Sequence, residues 1–180
     1  MPTIETVART ASDSAVTQSL SKELLNMKVP GRLGVEREFT WDEIKQIVAA
    51  ERLELLGRTT EQERVYTEHM QLLRQEHGSV SAYVLKIKLA SFIADDSREY
   101  LIIPNDYPYA LESDMSHFIV WSKPKLAGGI VPDPVIKHMI GSYLDEHIGE
   151  SKYEWTWFVN PPHLQSIPDA SHGHLIVKTL

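Results

Sequence analysis

The sequence predicts one α+β domain, a mainly antiparallel sheet with helices packed on one face. Three observations carry that reading. The first half of the chain repeats its apolar residues at helical spacing, whereas the second half alternates in short runs bounded by Pro, Gly and Asp. One amphipathic helix interrupts those runs, and the short connections favour two hairpin-like units in a single sheet. The 180 residues suffice for one well-buried core and are short for two.

Residues 1–35 read as a flexible N-terminal tail and lead-in loop, and 36–180 as the domain. The tail to about residue 20 is rich in Thr, Ser and Ala without an apolar period, and residues 29–38 carry Pro and Gly. Thr40 and Glu43 form an S/T-x-x-E capping box. Trp41, Ile44, Ile47, Val48 and Leu55 then follow near helical spacing towards a stop at Gly57. A second box, Thr60 with Glu63, opens a helix through Val65, His69, Leu72 and Leu73 that ends at Gly78. Ser79 caps a third helical stretch, 79–92, although YVLKIKL within it also alternates like a strand.

After Asp95 and Asp96 the pattern changes. Residues 99–111 read as a strand running into a Pro-broken loop, and 117–123 as a second strand. Residues 132–148 form an amphipathic helix on Val135, Ile136, Met139, Ile140, Tyr143 and Leu144. Residues 153–160 alternate Tyr153, Trp155, Trp157 and Val159 with Glu154, Thr156, Phe158 and Asn160, and a last strand covers 172–178.

Composition narrows the function. A formal charge of −7 opposes binding to a nucleic-acid backbone, which needs a basic surface. No run approaches the roughly 18 apolar residues of a membrane span, and the N-terminus lacks the apolar stretch of a secretory signal. The absence of cysteine removes thiolate catalysis and cysteine-rich zinc sites and fits a reducing compartment, so a cytoplasmic location is expected. No P-loop, dinucleotide fingerprint, nucleophile elbow or H-E-x-x-H occurs.

The densest group of reactive side chains is 157–178, with Asn160, His163, Gln165, Ser166, Asp169, His172 and His174. On a strand, His172 and His174 share one face about 7 Å apart, with Gly173 leaving the other side open to close approach. Paired imidazoles can share a ligand, a metal or a transferred proton, although an H-x-H pair also occurs merely half-exposed on an edge strand. A cupin-like metal site would need a distant third ligand, from His117, His163 or Asp169, so no metal or other cofactor is expected. A second group spans 103–123. There Asn105, Asp106 and Tyr107 sit where a strand breaks, His117 opens the next strand and Lys123 ends it. These residues suit the wall of a small-ligand site, although the prolines and tyrosines could simply shape a turn. Trp121, Trp155 and Trp157 read as core, and His69, His77, His138 and His147 as helix-borne and not catalytic.

NDYPYALESDMSHFIVWSK (105–123) and WFVNPPHLQSIPDASHGHLIVK (157–178), with the helical lead-in from Phe39, resemble the fungal N-acetylglucosamine-induced protein family, also called DUF3605. The likeness covers roughly 38–178 and implies a fungal cytoplasmic protein without an assigned mechanism. The N-x-x-P loop at Asn105, a strand opening on His, a helix and then N…Q-S…H-x-H are similar to the histidine-triad superfamily of nucleotide hydrolases and transferases. That likeness implies a histidine-triad-like sheet with His172 in the central, nucleophilic position and His174 in the last. The first triad position falls on Ala170, and the gap from Gln165 to His172 is one residue longer than the superfamily pattern.

Three readings of function follow. The first is a small-molecule enzyme of isomerase, lyase or cyclase type. His172 and His174 do acid–base work, with Asn105, Tyr107, His117, Asn160, His163 and Gln165 lining or orienting the ligand. The second is a histidine-triad-type hydrolase or transferase on nucleotides or sugar nucleotides, with Lys123 near the phosphate. The third is a binding or regulatory protein of amino-sugar metabolism without turnover. All three expect a small-molecule partner, neither nucleic acid nor membrane, and leave a homo-oligomer open.

Overall fold

The computed structural model describes residues 20–180, so the tail expected before residue 20 lies outside the described residues. The segment expected as a lead-in loop is partly built into the core: helix α1 (Lys22–Asn26) buries Leu24, and Val35 is buried beyond it. Helix α2 (Trp41–Ala49) starts on the predicted capping box, with Thr40 and Glu43 exchanging side-chain-to-backbone bonds. It stops well before Gly57. Glu51 takes a positive φ of 53°, and a single 3-10 turn at Leu53–Leu55 follows.

Helix α3 (Thr60–His77) is capped one residue earlier than predicted, by Thr59 with Gln62, and ends on Gly78 at φ 81°. Its inward stripe also differs in phase from the expected one. Met70 and Leu73 are buried, with Tyr66 and His69 half-buried beside them, whereas Val65 and Leu72 face out. The stripe Tyr66, His69, Met70, Leu73 keeps i, i+3, i+4, i+7 spacing but mixes polar rings with apolar chains. Helix α4 (Val80–Tyr83), capped by Ser79, runs into a π-helical turn at Val84–Lys88 and then α5 (Ala90–Ala94). Helix, not strand, is therefore the outcome for 79–92.

The sheet has strands β1 (Tyr100–Pro104), β2 (Met115–Ser122), β3 (Tyr153–Phe158) and β4 (His172–Thr179) in the order β1-β2-β4-β3, every neighbouring pair antiparallel. The two hairpin-like units predicted from the alternation thus join through β2 and β4. Helix α6 (Pro134–His147), between β2 and β3, has Asp133 as its N-cap and Pro134 in its first turn.

Helices cover both faces of this sheet, which corrects the one-face expectation. On one face Val120, Trp157, Leu175 and Val177 pack with Ile136, Ile140 and Leu144 of α6. On the other, Phe158 and Ile176 pack with Ile44 and Ile47 of α2, while Ile119 and Trp121 lie under Met70, Leu73, Val84 and Phe92. The central strands could not leave either face wet, because Ile176 and Val120 point to opposite sides and both are fully buried. Each such side chain contributes about 1.5–3 kcal/mol of burial. Among the described residues no helix is long and apolar enough to cross a membrane.

Candidate active site

Register fixes the site. Trp121 stands opposite His172, Ile119 opposite His174 and His117 opposite Ile176, so all three histidines share the face turned to α2 and α3. His117 and His174 are diagonal neighbours, and their Nε2 and Nδ1 atoms approach to 3.0 Å. His117 Nδ1 receives the backbone N–H of Tyr109 at 3.2 Å and lies 3.4 Å from Asn105 Nδ2. His174 Nε2 lies 3.0 Å from the Asn160 side-chain amide. Both nitrogens of His174 are thus occupied by protein groups. The ring is also stacked on Phe158, with centroids 4.9 Å apart, and near-parallel to Tyr109 at 5.8 Å.

His172 is held differently. Its Nδ1–H donates to the carbonyl of Ala170 at 2.8 Å, which leaves Nε2 unprotonated in the neutral ring. Burial holds all three imidazoles in the neutral form. It pushes His117 down to about 3, aided by the Arg58 charge. It pushes His174 well below the usual histidine value, with His117, His172 and Arg58 adding repulsion. His172 is lowered too, while its bond to the Ala170 carbonyl pulls the other way.

Above this face lies a cavity of about 300 Å³, at the small end of ligand-site volumes. His172, His174, Asn160, Ile119 and Trp121 line it from the sheet and the loop after β3. Tyr66, His69, Met70 and Leu73 line it from α3, and Tyr83, Val84 and Lys88 from α4 and the π-helical turn. The π-helical bond from Leu89 N–H to Val84 O, at 2.8 Å, widens the helix there and marks the kind of irregularity that recurs at functional sites. Two buried polar atoms of lining residues, Trp121 Nε1 and Asn160 Oδ1, have no hydrogen-bond partner among the described residues. Both atoms are shut off from open space, so neither is itself presented to the cavity.

Five of the nine residues expected at the site line the cavity: His172, His174, Asn105, Tyr107 and Asn160. His117 sits behind His174 and supports it without lining the cavity. Gln165 also stands back; its Nε2 donates to the Asn160 carbonyl at 2.8 Å. His163 is exposed on a 3-10 turn at Pro162–Leu164, and Lys123 is exposed with its ammonium on the Asp95 carbonyl at 2.6 Å. Neither belongs to the cavity, since the loop carrying His163 turns it outward and Lys123 lies past the end of β2.

The residues that sequence reading missed come from the helical half. Arg58 bonds Tyr107 O and Glu63 and lies 3.9 Å over the Tyr66 ring. His69 Nδ1 hydrogen-bonds the Tyr107 hydroxyl, and Lys88 pairs with Asp106. The mixed stripe Tyr66–His69–Met70–Leu73 was the available signal, because polar rings on an inward helix face imply something other than a sealed core. Trp121 is core, as expected, and also cavity wall. The third ligand needed by a cupin-like metal site does not assemble: no group of three or more metal-capable His, Asp or Glu side chains occurs among the described residues.

Comparison with known proteins places the chain among fungal relatives. The family described as "Protein of unknown function (DUF3605)" matches residues 40–178. The chain is 25% identical to "N-acetylglucosamine-induced protein 1" of Candida albicans, over 84% of this chain and 73% of that protein. It is 26% identical to "Uncharacterized protein YPL067C" of Saccharomyces cerevisiae, over 76% of this chain and 77% of that one. A solved structure described as "Crystal Structure of HTC1" is similar in fold. Its TM-score is 0.57 at 23% identity, over 79% of this chain and 86% of that one.

Proposed function

For this chain, which belongs to the DUF3605 family, we propose an enzyme acting on a small molecule, with the Nε2 atom of His172 as its general base. One observation carries the reading: the Ala170 carbonyl holds the proton of His172 on Nδ1, so an unprotonated nitrogen is available on a residue that lines a ligand-sized cavity. Burial keeps that nitrogen free of protons at neutral pH. His174 is a positioning residue in this scheme, because both its nitrogens are committed. A proton taken by His172 returns to another atom of the same ligand, which suits isomerase, lyase or cyclase chemistry.

A second reading has a specific support. A histidine clamped through Nδ1 is equally arranged to attack phosphorus through Nε2, as in a histidine-triad-type nucleotidyl transfer on a histidine-triad-like sheet. Ala170 in place of the first triad histidine weighs against it. The amino sugar in the Candida relative's name makes amino sugars and their derivatives the first compounds to present.

Incubating the wild type and His172→Asn with a fungal metabolite extract in deuterated water, followed by mass spectrometry, separates these readings. Base chemistry predicts a compound that exchanges or converts with the wild type alone, and no adduct on the protein. A nucleotidyl mass on His172 would replace the first reading with the second. Conversion that persists in His172→Asn would end both.

A further inference from the structure

The hydrogen-bond chain behind the cavity has only one workable polarity. The N–H of Tyr109 is a fixed donor, so His117 Nδ1, 3.2 Å away, carries no proton. Asn105 agrees: its Oδ1 accepts the N–H of Tyr107 at 3.0 Å, which leaves its Nδ2 as the atom facing that same nitrogen. The proton of neutral His117 is therefore on Nε2 and is donated to His174 Nδ1 at 3.0 Å. His174 must then carry its own proton on Nε2, pointing at the amide of Asn160 3.0 Å away.

Two donors cannot face each other. The side-chain amide of Asn160 is consequently turned with Oδ1 on His174, where it also accepts from the Tyr109 hydroxyl at 3.4 Å. Its Nδ2 then occupies the buried position that has no partner among the described residues. Trp121 Nε1, the other unpartnered buried atom, is a donor by its chemistry. Both of these N–H groups are shut off from open space, so what the wall offers a ligand beside them is the free lone pair of His172 Nε2.

Charge narrows the ligand further. Arg58 and Lys88 are the cations that line the cavity, against Glu54, Glu63 and Asp106. Arg58 is bound to Glu63 at 3.2 Å and Lys88 is paired with Asp106. A phosphate or carboxylate would meet carboxylates and neutral imidazoles and no unpaired cation. The remaining surface is apolar or aromatic, from Met70, Leu73, Val84, Ile119, Tyr66 and Tyr83.

We propose that the cavity selects an uncharged, partly apolar ligand, an amide, lactam or hydroxy-carbonyl compound. Its own O–H or N–H donates to His172 Nε2, and its apolar part packs on Met70, Leu73, Val84 and Ile119. The inference rests on the functional reading above for the place of His172, and adds the class of molecule.

The test uses the full chain and matched probes: adenosine against adenosine 5′-phosphate, N-acetylglucosamine against its 6-phosphate, and benzamide against benzoate. At least one neutral member should raise Tm and bind at least tenfold tighter than its charged twin. His172→Phe, which keeps an aromatic ring and removes the Nε2 acceptor, should weaken that neutral probe about tenfold, the size of one neutral hydrogen bond. Tighter binding of the charged twins, or no binding by any neutral probe, overturns the proposal. Long-range ¹H–¹⁵N spectra of the wild type check the polarity without any ligand. They should report His117 and His174 protonated on Nε2 and His172 on Nδ1, and His172 protonated on Nε2 would sink the proposal. Neutral binding without turnover leaves this inference standing and removes the base chemistry, whereas anion-selective binding with turnover dependent on His172 does the reverse.

Discussion

Gly173, Leu175 and Val177 of β4 face α6, while His172, His174 and Ile176 of the same strand face α2 and α3. On the α6 side the buried side chains interlock by apolar contact, and the Trp157 indole occupies the space where a Cβ on Gly173 would stand. Gly173 thus admits the close approach that its place between the two histidines suggested. On the opposite side the same backbone carries a hydrogen-bonded chain of His117, His174 and Asn160 beside a cavity. One face is held by volume and the other by polar satisfaction. A strand of period 2 can serve both because each alternate residue answers to a different neighbour.

The contrast is sharpest in truncations. Leu175→Ala, at a fully buried position on the α6 face, should cost about 2–5 kcal/mol in urea unfolding, the range for leucine truncation in a closed core. A cost under about 1 kcal/mol would mean that this face is loosely packed. His174→Leu keeps the volume on the polar face but leaves the His117 N–H and the Asn160 amide without their partner, at about 1–3 kcal/mol. Adding His117→Leu should then cost less than the sum of the two singles, since the group left stranded by the first change is gone. Simple additivity would show that the pair does not act as a unit.

The two faces should also separate in pH. His117, His172 and His174 are all pushed below the ordinary value of 6.5 by burial, His117 to about 3. Unfolding releases these rings to take up protons below pH 6.5, so the unfolded state binds more protons there and stability falls as pH drops. Their contribution is complete above pH 6.5 and shrinks below it by about 1.4 kcal/mol per pH unit for each ring still neutral in the folded chain. The share of His117 continues to about pH 3. Urea midpoints between pH 7 and pH 5 should decline for the wild type and for Leu175→Ala alike, and less steeply for His117→Leu. Equal slopes in all three would contradict the assignment of the buried rings as neutral.

How far the sequence revealed each face follows from the same physics. The strand alternation and the stripe of α6 were readable because a closed apolar face leaves a periodic trace in residue type. His172, His174 and Asn160 stood out by chemical density. The opposing wall did not. Tyr66 and His69 share a helix face with Met70 and Leu73, and choosing Val65 and Leu72 instead gave a more apolar stripe that turned out to be exposed. Arg58, Lys88 and Asp106 meet only through tertiary contacts, so no local spacing announces them. Helices on both faces were equally hidden, because the Phe158–Ile176 and Val120–Leu175 sets had to be weighed against each other across strands.

The smallest effect on stability should come from the residue most important to function. His172 contributes one hydrogen bond to the Ala170 carbonyl, and its Nε2 bonds to nothing else among the described residues. His172→Asn retains an amide that can donate to that carbonyl, so its stability should stay within about 1 kcal/mol of the wild type. Turnover of any converted ligand should nevertheless fall by about 10²–10⁴, the usual contribution of a general base. His174→Leu reverses the order, costing more in stability while leaving the lone pair of His172 in place. If His172→Asn unfolds as easily as His174→Leu, then His172 belongs to the packing of its face and not to its chemistry. The division between a supporting histidine and a reacting one would then fall with it.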